Sequence, residues 1–298
     1  MQKVLVIVGP TASGKSALAI ALAKKFKGEI ISADSRQVYR GLDVGTGKVT
    51  TREMQGVPHH LLDIASPKKN FSAGDFERQA RNALKNIAAK HKLPIVAGGT
   101  GFYIDALLGR IQLPNVQPNA ALRARLQKKT AAQLYALLKK RDTTRAKQMN
   151  TPSERNNKVR LVRALEIADS KTPERPKKHP YDTLWLGIAP KQKKLEKRIQ
   201  DRLKARIQHG MIAEAKRLHR EGLSFKRMHE LGLEYRALSR LLQNKISKKE
   251  FEEELFRDVR RYAKKQIGYW KRNYDIHWYD PKQKAKLTKD VAAWLRMR

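Results

Sequence analysis

The chain has 298 residues, 40% of them hydrophobic, which suits one large domain or a core with a smaller appended unit. Its 65 Lys and Arg residues against 28 Asp and Glu give a formal net charge of +37, which favours a polyanionic partner, although a lineage with generally lysine-rich proteins would show the same excess. The absence of cysteine excludes disulfide bonds and thiolate metal sites and fits a cytoplasmic location, and no stretch is apolar enough for a membrane span.

Four short apolar runs that end at Gly, Asp or Pro predict strands buried in a parallel sheet. The runs are Lys3 to Val8, Glu29 to Ala33, Leu93 to Ala97 and Leu184 to Ile188. Helical periods lie between them, with one face formed by Leu18, Leu22 and Phe26 and another by Phe76, Ala80, Leu84 and Ile87. This alternation predicts an α/β fold with a parallel sheet flanked by helices.

The composition of the sequence changes near residue 112. There LPNVQPN leads into charged helical stretches with no strand candidate before Leu184. Residues 112–181 are therefore predicted to form a helical insertion between a first core segment, 1–111, and a segment that completes the core, 182–298. The stretch TPERPKKHPYD is predicted to be a linker at the end of the insertion. Apolar spacing then predicts one long helix over Leu195 to Leu218, a second from Lys248 to about Lys271, and a short final helix after Pro281.

The first predicted strand runs into GPTASGKS, which matches the phosphate-loop pattern GxxxxGK[ST]. Backbone amides of such a loop converge on an anion at the start of a helix, the lysine adds positive charge, and the hydroxyl residue can bind Mg²⁺. The strand before it and the amphipathic helix after it favour phosphate binding over a chance match and predict a P-loop-type core. The predicted phosphate-binding residues are Gly9, Pro10, Thr11, Ala12, Ser13, Gly14, Lys15 and Ser16, with Ser16 as the magnesium ligand.

ATPases and GTPases normally have a second element, an apolar strand that ends in an acidic residue and helps to hold magnesium. The best candidate strand here continues as LPIVAGGTGFY and ends in Gly-Gly-Thr. This weakens a motor or switch function. It leaves a small-molecule kinase, or an enzyme whose substrate merely contains a diphosphate.

Asp34 follows the second predicted strand, at the edge where open α/β sheets bind ligands. The residues alone suit a general base and a helix N-cap equally. The polar run that follows, Ser35, Arg36, Gln37 and Tyr39, could read a nucleobase edge, although a turn would use similar residues.

Six motifs together resemble one family. They are GPTASGKS, ISADSRQVYRGLDVGTGK, PHHLLDIASPKKNFSAGDF, PIVAGGTGFY, RLVRALEI and YAKKQIGYWKRN. Their order and spacing resemble the tRNA dimethylallyltransferases, also called tRNA isopentenyltransferases, over nearly the whole chain. The resemblance implies transfer of a dimethylallyl group from dimethylallyl diphosphate to the exocyclic amine of the adenosine on the 3′ side of the anticodon in tRNA, with release of pyrophosphate.

The resemblance also implies roles for individual residues. Asp34 resembles the base that accepts the amine proton, and Thr100 resembles a hydroxyl that orients the diphosphate. Lys15, Ser16 with Mg²⁺, and Arg202 resemble the leaving-group clamp. The positions that resemble tRNA contacts are Asp34, Ser35, Arg36, Gln37, Arg123, Val159, Arg160, Leu161, Val162 and Arg163. The expected partners are the anticodon stem-loop of tRNA and dimethylallyl diphosphate, and the family acts as monomers.

Three positions depart from the family pattern. Glu234 stands where Gly is common, Val259 where Thr is common, and Gly47 where Ala is usual. We expect none of them to lie in the reaction centre. The adjacent His59 and His60 point in different directions along one backbone, and no carboxylate is spaced to complete a metal site, so we interpret them as structural.

Two further interpretations stay open at this point. Tyr269 and Trp270 could stack on RNA or pack a helix against the core. Besides prenyl transfer, an ATP-dependent P-loop small-molecule kinase is the alternative function. A third possibility is a basic RNA-binding module whose phosphate loop is vestigial.

Overall fold

A computed structural model describes residues 1–114, 116–170 and 181–297 of the chain. Its centre is a sheet of six strands in the order β3-β2-β4-β1-β5-β6, and every neighbouring pair is parallel. The strands are β1 (Gln2–Val8), β2 (Gly28–Ala33), β3 (His59–His60), β4 (Leu93–Gly98), β5 (Tyr181–Ile188) and β6 (Ile276–Tyr279). The predicted α/β fold is confirmed, and the four predicted strands form its centre.

Helices cover both faces of this sheet. Those before the insertion are α1 (Lys15–Lys25), α2 (Thr51–Met54), α3 (Ala73–Ala89) and α4 (Gly101–Leu107). Phe76 and Leu84 of α3 pack on one face of β1, β2 and β4, whereas Ala19 and Leu22 of α1 pack on the other. Burial on both faces explains why these strands are continuous apolar runs and do not alternate with polar residues.

Residues Gln112–Lys178 form a separate unit. Its helices are α5 (Ala120–Gln127), α6 (Ala131–Arg141), α7 (Thr143–Gln148), α8 (Pro152–Arg155) and α9 (Lys158–Ala168). Leu126, Leu134, Leu138, Leu161 and Leu165 form its small apolar core. The predicted end at residue 181 is too late, because Tyr181 and Asp182 already pair with Gln2 and Lys3 in the sheet. The predicted linker TPERPKKHPYD lies outside the described residues up to position 180.

The remaining helices complete the first unit, Met1–Ile111 with His179–Arg298. They are α10 (Gln192–Gln208), α11 (Met211–Arg220), α12 (Phe225–Leu231), α13 (Leu233–Leu242), α14 (Lys248–Trp270) and α15 (Lys284–Arg296). The prediction of one helix over Leu195 to Leu218 is wrong. Gly210, with a φ of 93°, lies between α10 and α11 and breaks the α-helical conformation there.

The three loops that follow β1, β2 and β4 lie side by side, because these strands are neighbours and parallel. They carry the phosphate loop, Asp34 and Thr100, respectively. Gln266 of α14 forms hydrogen bonds with the loops that follow β1 and β4. No helix within residues 1–114, 116–170 and 181–297 is both long and apolar enough to cross a lipid bilayer.

Candidate active site

The segment after β1 has the backbone shape of a phosphate loop. The φ angles of Gly9, Ala12 and Gly14 are 145°, 61° and 100°, so the chain turns tightly before α1 begins at Lys15. A Cβ on Gly9 would lie 2.4 Å from the carbonyl oxygen of Ile188, so this position requires glycine. The first turn of α1 has neither an acidic residue nor a side-chain cap, which leaves its backbone amides available to an anion.

Lys15 is the cationic residue of this loop. Its Nζ donates a hydrogen bond to the carbonyl oxygen of Pro10 at 2.7 Å. Burial lowers the pKa of Lys15 to about 8, the positive charge of Arg202 also lowers it, and the negative charge of Asp34 acts in the opposite direction. Lys15, Arg202 and Asp34 therefore lie close enough to influence one another electrostatically.

Three arginines follow one another at four-residue spacing along α10 and contact the loops of the site. Arg198 donates to the carbonyl oxygen of Ser13 at 3.1 Å. Arg202 donates to that of Gly47 at 2.7 Å, and Arg206 to that of Gly45 at 2.9 Å. Sequence reasoning selected only Arg202. The four-residue repeat in RIQDRLKAR, which puts all three on one helix face, is the signal that could have found the other two.

A buried carboxylate holds the loop from Asp43 to Gly47, which Arg202 and Arg206 contact. Glu214 of α11 accepts hydrogen bonds from the backbone amides of Asp43, Val44 and Gly45 at 2.8 to 2.9 Å, and from the Tyr235 hydroxyl at 2.6 Å. Burial and this carboxylate raise the pKa of Tyr235 well above its usual value, so its hydroxyl remains a donor. Three hydrogen bonds from its backbone amides to one side chain thus fix the loop, and the fourth, from Tyr235, holds that side chain in place.

Two of the three departures from the family pattern, Gly47 and Glu234, contact arginines of α10 beside the predicted site. The carbonyl oxygen of Gly47 accepts from Arg202, and from the side chain of Gln37 at 3.4 Å. Glu234 pairs with Arg206 at 3.2 Å. Sequence spacing hid this proximity because α13 returns to the site only in the folded chain. The third, Val259, is a core residue of α14.

Asp34 caps the turn that follows β2. Its Oδ1 accepts from the backbone amides of Arg36 at 2.8 Å and Gln37 at 3.3 Å. In the described part of the chain, Oδ2 of Asp34 receives no hydrogen bond. Thr100 joins the same turn, because its Oγ1 accepts from the backbone amide of Ser35 at 3.1 Å. Asp34 therefore caps a turn and not the predicted helix, since no helix begins there, and one carboxylate oxygen remains for a second role.

Two tyrosines are coupled electrostatically to this carboxylate. Burial raises the pKa of Tyr262 to about 12, the charge of Asp34 also raises it, and a hydrogen bond to Thr100 acts in the opposite direction. Burial likewise raises the pKa of Tyr103, with smaller contributions from Tyr39 and Asp34. Both phenols therefore stay protonated at neutral pH, and the ring of Tyr103 is itself buried and stacked on Phe76.

Gln266 of α14 connects two loops of the site, and sequence reasoning assigned it no functional role. Its Oε1 accepts from the backbone amide of Thr11 at 2.8 Å, and its Nε2 donates to the carbonyl oxygen of Gly99 at 2.9 Å. Of the aromatic residues that follow, Trp270 is buried against Trp185. Tyr269 donates a hydrogen bond to Asp105, which favours helix packing over RNA stacking for this pair.

The predicted tRNA contacts of the insertion fall into three groups. Arg123 and Arg163 both pair with the buried Glu166, at 2.7 and 3.2 Å, and this pairing lowers the pKa of Glu166 to about 2 despite its burial. Leu161 and Val162 are core residues. Val159 and Arg160 are exposed, and Arg160 also forms an ion pair with Glu154. Direct contact with RNA is therefore open to Val159 and Arg160, whereas Leu161 and Val162 present no side chain to it.

The site has few protein ligands for a metal ion. Among the described residues, no group of three or more His, Cys, Asp and Glu side chains could hold one. His60 instead pairs with Glu29 at 2.7 Å, away from the phosphate loop, which agrees with a structural interpretation. Mg²⁺ is commonly bound by one or two protein oxygens together with substrate phosphates, so the exposed hydroxyl residue Ser16 at the start of α1 fits such a site.

The fold and these loops define a class, the α/β proteins with a P-loop-type core, in which the loop after the first strand leads into a helix at the carboxyl edge of a parallel sheet. A cation-lined phosphate loop lies beside a carboxylate with one open oxygen, and the strand-end acid of ATPases is replaced by Gly-Gly-Thr.

Comparison with known proteins identifies the family. The family model described as IPP transferase matches residues 37–273. The chain is 38% identical to a tRNA dimethylallyltransferase of Enterococcus faecalis, covering 100% of this chain and 99% of that protein, and 39% identical to one of Leuconostoc citreum, covering 99% and 100%. The chain belongs to the tRNA dimethylallyltransferase family.

Solved structures agree with this assignment. The tRNA isopentenylpyrophosphate transferase of Bacillus halodurans is 32% identical, with a TM-score of 0.75 over 99% of this chain and 97% of its own. A eukaryotic dimethylallyltransferase acting on tRNA is 27% identical, with a TM-score of 0.81 over 99% of this chain and 76% of its own.

Proposed function

We propose that the protein transfers the dimethylallyl group of dimethylallyl diphosphate to the exocyclic amine of the adenosine on the 3′ side of the anticodon in tRNA. Family membership supports this function, because the relatives are tRNA dimethylallyltransferases along the full length of the chain. The single observation that carries it is that the phosphate loop with Lys15, the turn capped by Asp34 and the residue Thr100 follow three neighbouring parallel strands, so the proposed diphosphate-binding residues and the proposed base meet at one edge of the sheet.

The phosphate loop and α10 bind the leaving group in this proposal. Lys15, Arg198 and Arg202 line the loops that would receive the diphosphate. As the allylic C–O bond breaks, its electron pair leaves with pyrophosphate, so negative charge grows on the leaving group. Fixed cations stabilise that charge more in the transition state than in the bound substrate.

Asp34 serves as the base. The adenine amine is a weak nucleophile because its lone pair is delocalised into the ring. Its nitrogen becomes positively charged as it forms a bond to the allylic carbon, so it must lose one proton. The open Oδ2 of Asp34 accepts this proton while Oδ1 keeps the turn at Arg36 and Gln37 in place. Thr100 holds that turn through the Ser35 amide and is available to orient the diphosphate.

The target base must leave the anticodon loop to reach this carboxylate, because an amine stacked within RNA is inaccessible. Ser35, Arg36 and Gln37 supply donors and acceptors that suit the edge of an adenine. Tyr262, which is coupled electrostatically to Asp34 and hydrogen-bonded to Thr100, supplies a further polar group near them. RNA outside the pocket is proposed to contact the exposed cations, including Arg160.

Mg²⁺ is the proposed metal ion, with Ser16 as its protein ligand and the diphosphate as its main partner. It would neutralise part of the leaving group's negative charge. Ser16 lies at the start of α1, directly after Lys15, so its hydroxyl belongs to the same phosphate-binding segment. We further propose that the protein acts as a monomer in the cytoplasm, as its resemblance to the family implies.

A pyrophosphate-release assay tests the function. Purified protein is mixed with dimethylallyl diphosphate, Mg²⁺ and unfractionated tRNA, and parallel reactions omit one substrate or replace the donor by ATP. We expect pyrophosphate only when the prenyl donor and tRNA are both present. Turnover that requires ATP would identify a kinase, and binding of tRNA without any turnover would identify an RNA-binding module.

A further inference from the structure

Gln266 makes two hydrogen bonds whose partners belong to different halves of the site. Its Oε1 accepts from the Thr11 amide in the phosphate loop, and its Nε2 donates to the Gly99 carbonyl directly before Thr100. The amide of Thr11 can only donate and the carbonyl of Gly99 can only accept. The orientation of the Gln266 side chain is therefore fixed by its partners, and no other common side chain of this length has one donor and one acceptor end.

Two glycines in the loop after β4 allow α14 to approach that loop closely. A Cβ on Gly99 would lie 2.1 Å from Nε2 of Gln266, and a Cβ on Gly101 would lie 2.2 Å from the ring of Tyr269. Both distances are far below van der Waals contact. The two glycines that flank Thr100 thus leave room for one face of α14, and Gln266 occupies that room with 6% of its surface exposed.

The contact reaches the predicted base through one further hydrogen bond. Gln266 holds the carbonyl of Gly99, and the next residue, Thr100, accepts from the Ser35 amide in the turn that Asp34 caps. On the other side, the Thr11 amide lies in the loop that contains Lys15. One side chain therefore ties the proposed leaving-group site to the proposed acceptor site.

We propose that Gln266 is a positioning residue, which sets the spacing between the diphosphate in the phosphate loop and the adenine amine beside Asp34. This inference rests on the proposed function. Its physical basis is that transfer needs the amine nitrogen and the allylic carbon in line and in contact, so that an error of about 1 Å costs on the order of a hundredfold in rate. Gln266 touches neither substrate in this proposal, so it acts through Thr11 and Gly99.

Two substitutions separate its two hydrogen bonds. Gln266→Glu keeps an acceptor for Thr11 but removes the donor to Gly99, whereas Gln266→Met has a similar volume and removes both. We expect kcat to fall by about tenfold to a hundredfold in both variants. We expect tRNA affinity to stay within threefold of the parent, and the KM for dimethylallyl diphosphate to rise clearly only in Gln266→Met.

Gln243→Glu is the matched control, because Gln243, the residue directly after α13, also donates through its Nε2 to one backbone carbonyl, that of Ser239 at 2.8 Å. Transfer by the parent is measured first, so that an inactive parent rejects the proposed function and not this inference. A kcat within threefold of the parent in both Gln266 variants would overturn the positioning role. So would loss of folding in both by circular dichroism, because Gln266 would then serve the fold alone.

Discussion

Asp34 uses its two carboxylate oxygens differently. Oδ1 holds the turn after β2 by accepting from the amides of Arg36 and Gln37, and Oδ2 points to no donor among the described residues. A cap and a base are therefore compatible in one side chain. This distinction sets the design of the test, because an amide in place of the carboxylate keeps the oxygen that caps the turn.

We expect Asp34→Asn to lower the single-turnover rate by about a hundred- to ten-thousandfold, because the amide cannot take the amine proton. The free energy of unfolding should change by at most about 2 kcal/mol, since the capping oxygen remains. Both quantities are measured on the same preparation, with saturating tRNA and dimethylallyl diphosphate. A rate within threefold of the parent would rule out Asp34 as the base.

Lys15 is the residue through which we expect donor binding to depend on pH. Burial and Arg202 lower its pKa to about 8, so the ammonium charge is present below that pH and is lost as the pH rises above it. We expect the KM for dimethylallyl diphosphate to rise steadily between about pH 8 and pH 10. The Lys15→Ala variant should have a high KM that changes little over this range, while its tRNA affinity stays near that of the parent. A flat KM in the parent would contradict this pKa.

Strands and helices with a clear local pattern of apolar residues could be predicted from the sequence, whereas those without one could not. The apolar runs within β1, β2, β4 and β5 are almost entirely buried, so their type and place could be predicted. The edge strand β3 has only two residues, His59 and His60, and β6 has four, too few for a clear period. The break between α10 and α11 was missed because apolar spacing continues across Gly210.

The residues of the candidate site also divide into those that could be predicted from the sequence and those that could not. The phosphate loop and Asp34 follow predicted strands, so their place was readable from the sequence. Gln266 and Glu214 were missed because their partners lie 255 and about 170 residues away along the chain. A side chain that binds backbone amides leaves no pattern in the sequence. Arg198 is the exception, since its spacing from Arg202 was visible.

Within the insertion, α5 and α9 are joined by an ion pair that changes what a charge deletion means. Arg123 neutralises Glu166, whose side chain is 1% exposed. We expect Arg123→Ala to cost the insertion about 3 kcal/mol, near the lower end for a broken buried pair, because Arg163 still reaches the carboxylate. Thermal unfolding of the full chain measures this.

Arg125→Ala is the matched control, since Arg125 is an exposed residue of the same helix. We expect it to leave the unfolding temperature nearly unchanged. Equal unfolding temperatures for the Arg123 and Arg125 variants would show that the ion pair contributes nothing to stability.

For the whole molecule, the dominant property is the net charge of +37. If the protein neutralises about six phosphates, tRNA affinity should fall by roughly three orders of magnitude between about 50 and about 200 mM salt. Arg160→Ala should lower the slope of log affinity against log salt by about one, to the same extent for different tRNA sequences. Filter binding at several salt concentrations measures both slopes. A nearly flat dependence would contradict electrostatic docking.

The central claim is that one pocket joins a diphosphate leaving group to an adenosine amine, and analysis of the tRNA product tests it most directly. tRNA treated with the protein, Mg²⁺ and dimethylallyl diphosphate is digested to nucleosides and examined by mass spectrometry. The account predicts an adenosine with one dimethylallyl group on its exocyclic nitrogen, next to the anticodon on its 3′ side, in an amount equal to the pyrophosphate released. Pyrophosphate without a prenylated nucleoside, or a phosphorylated product formed from ATP, would contradict it.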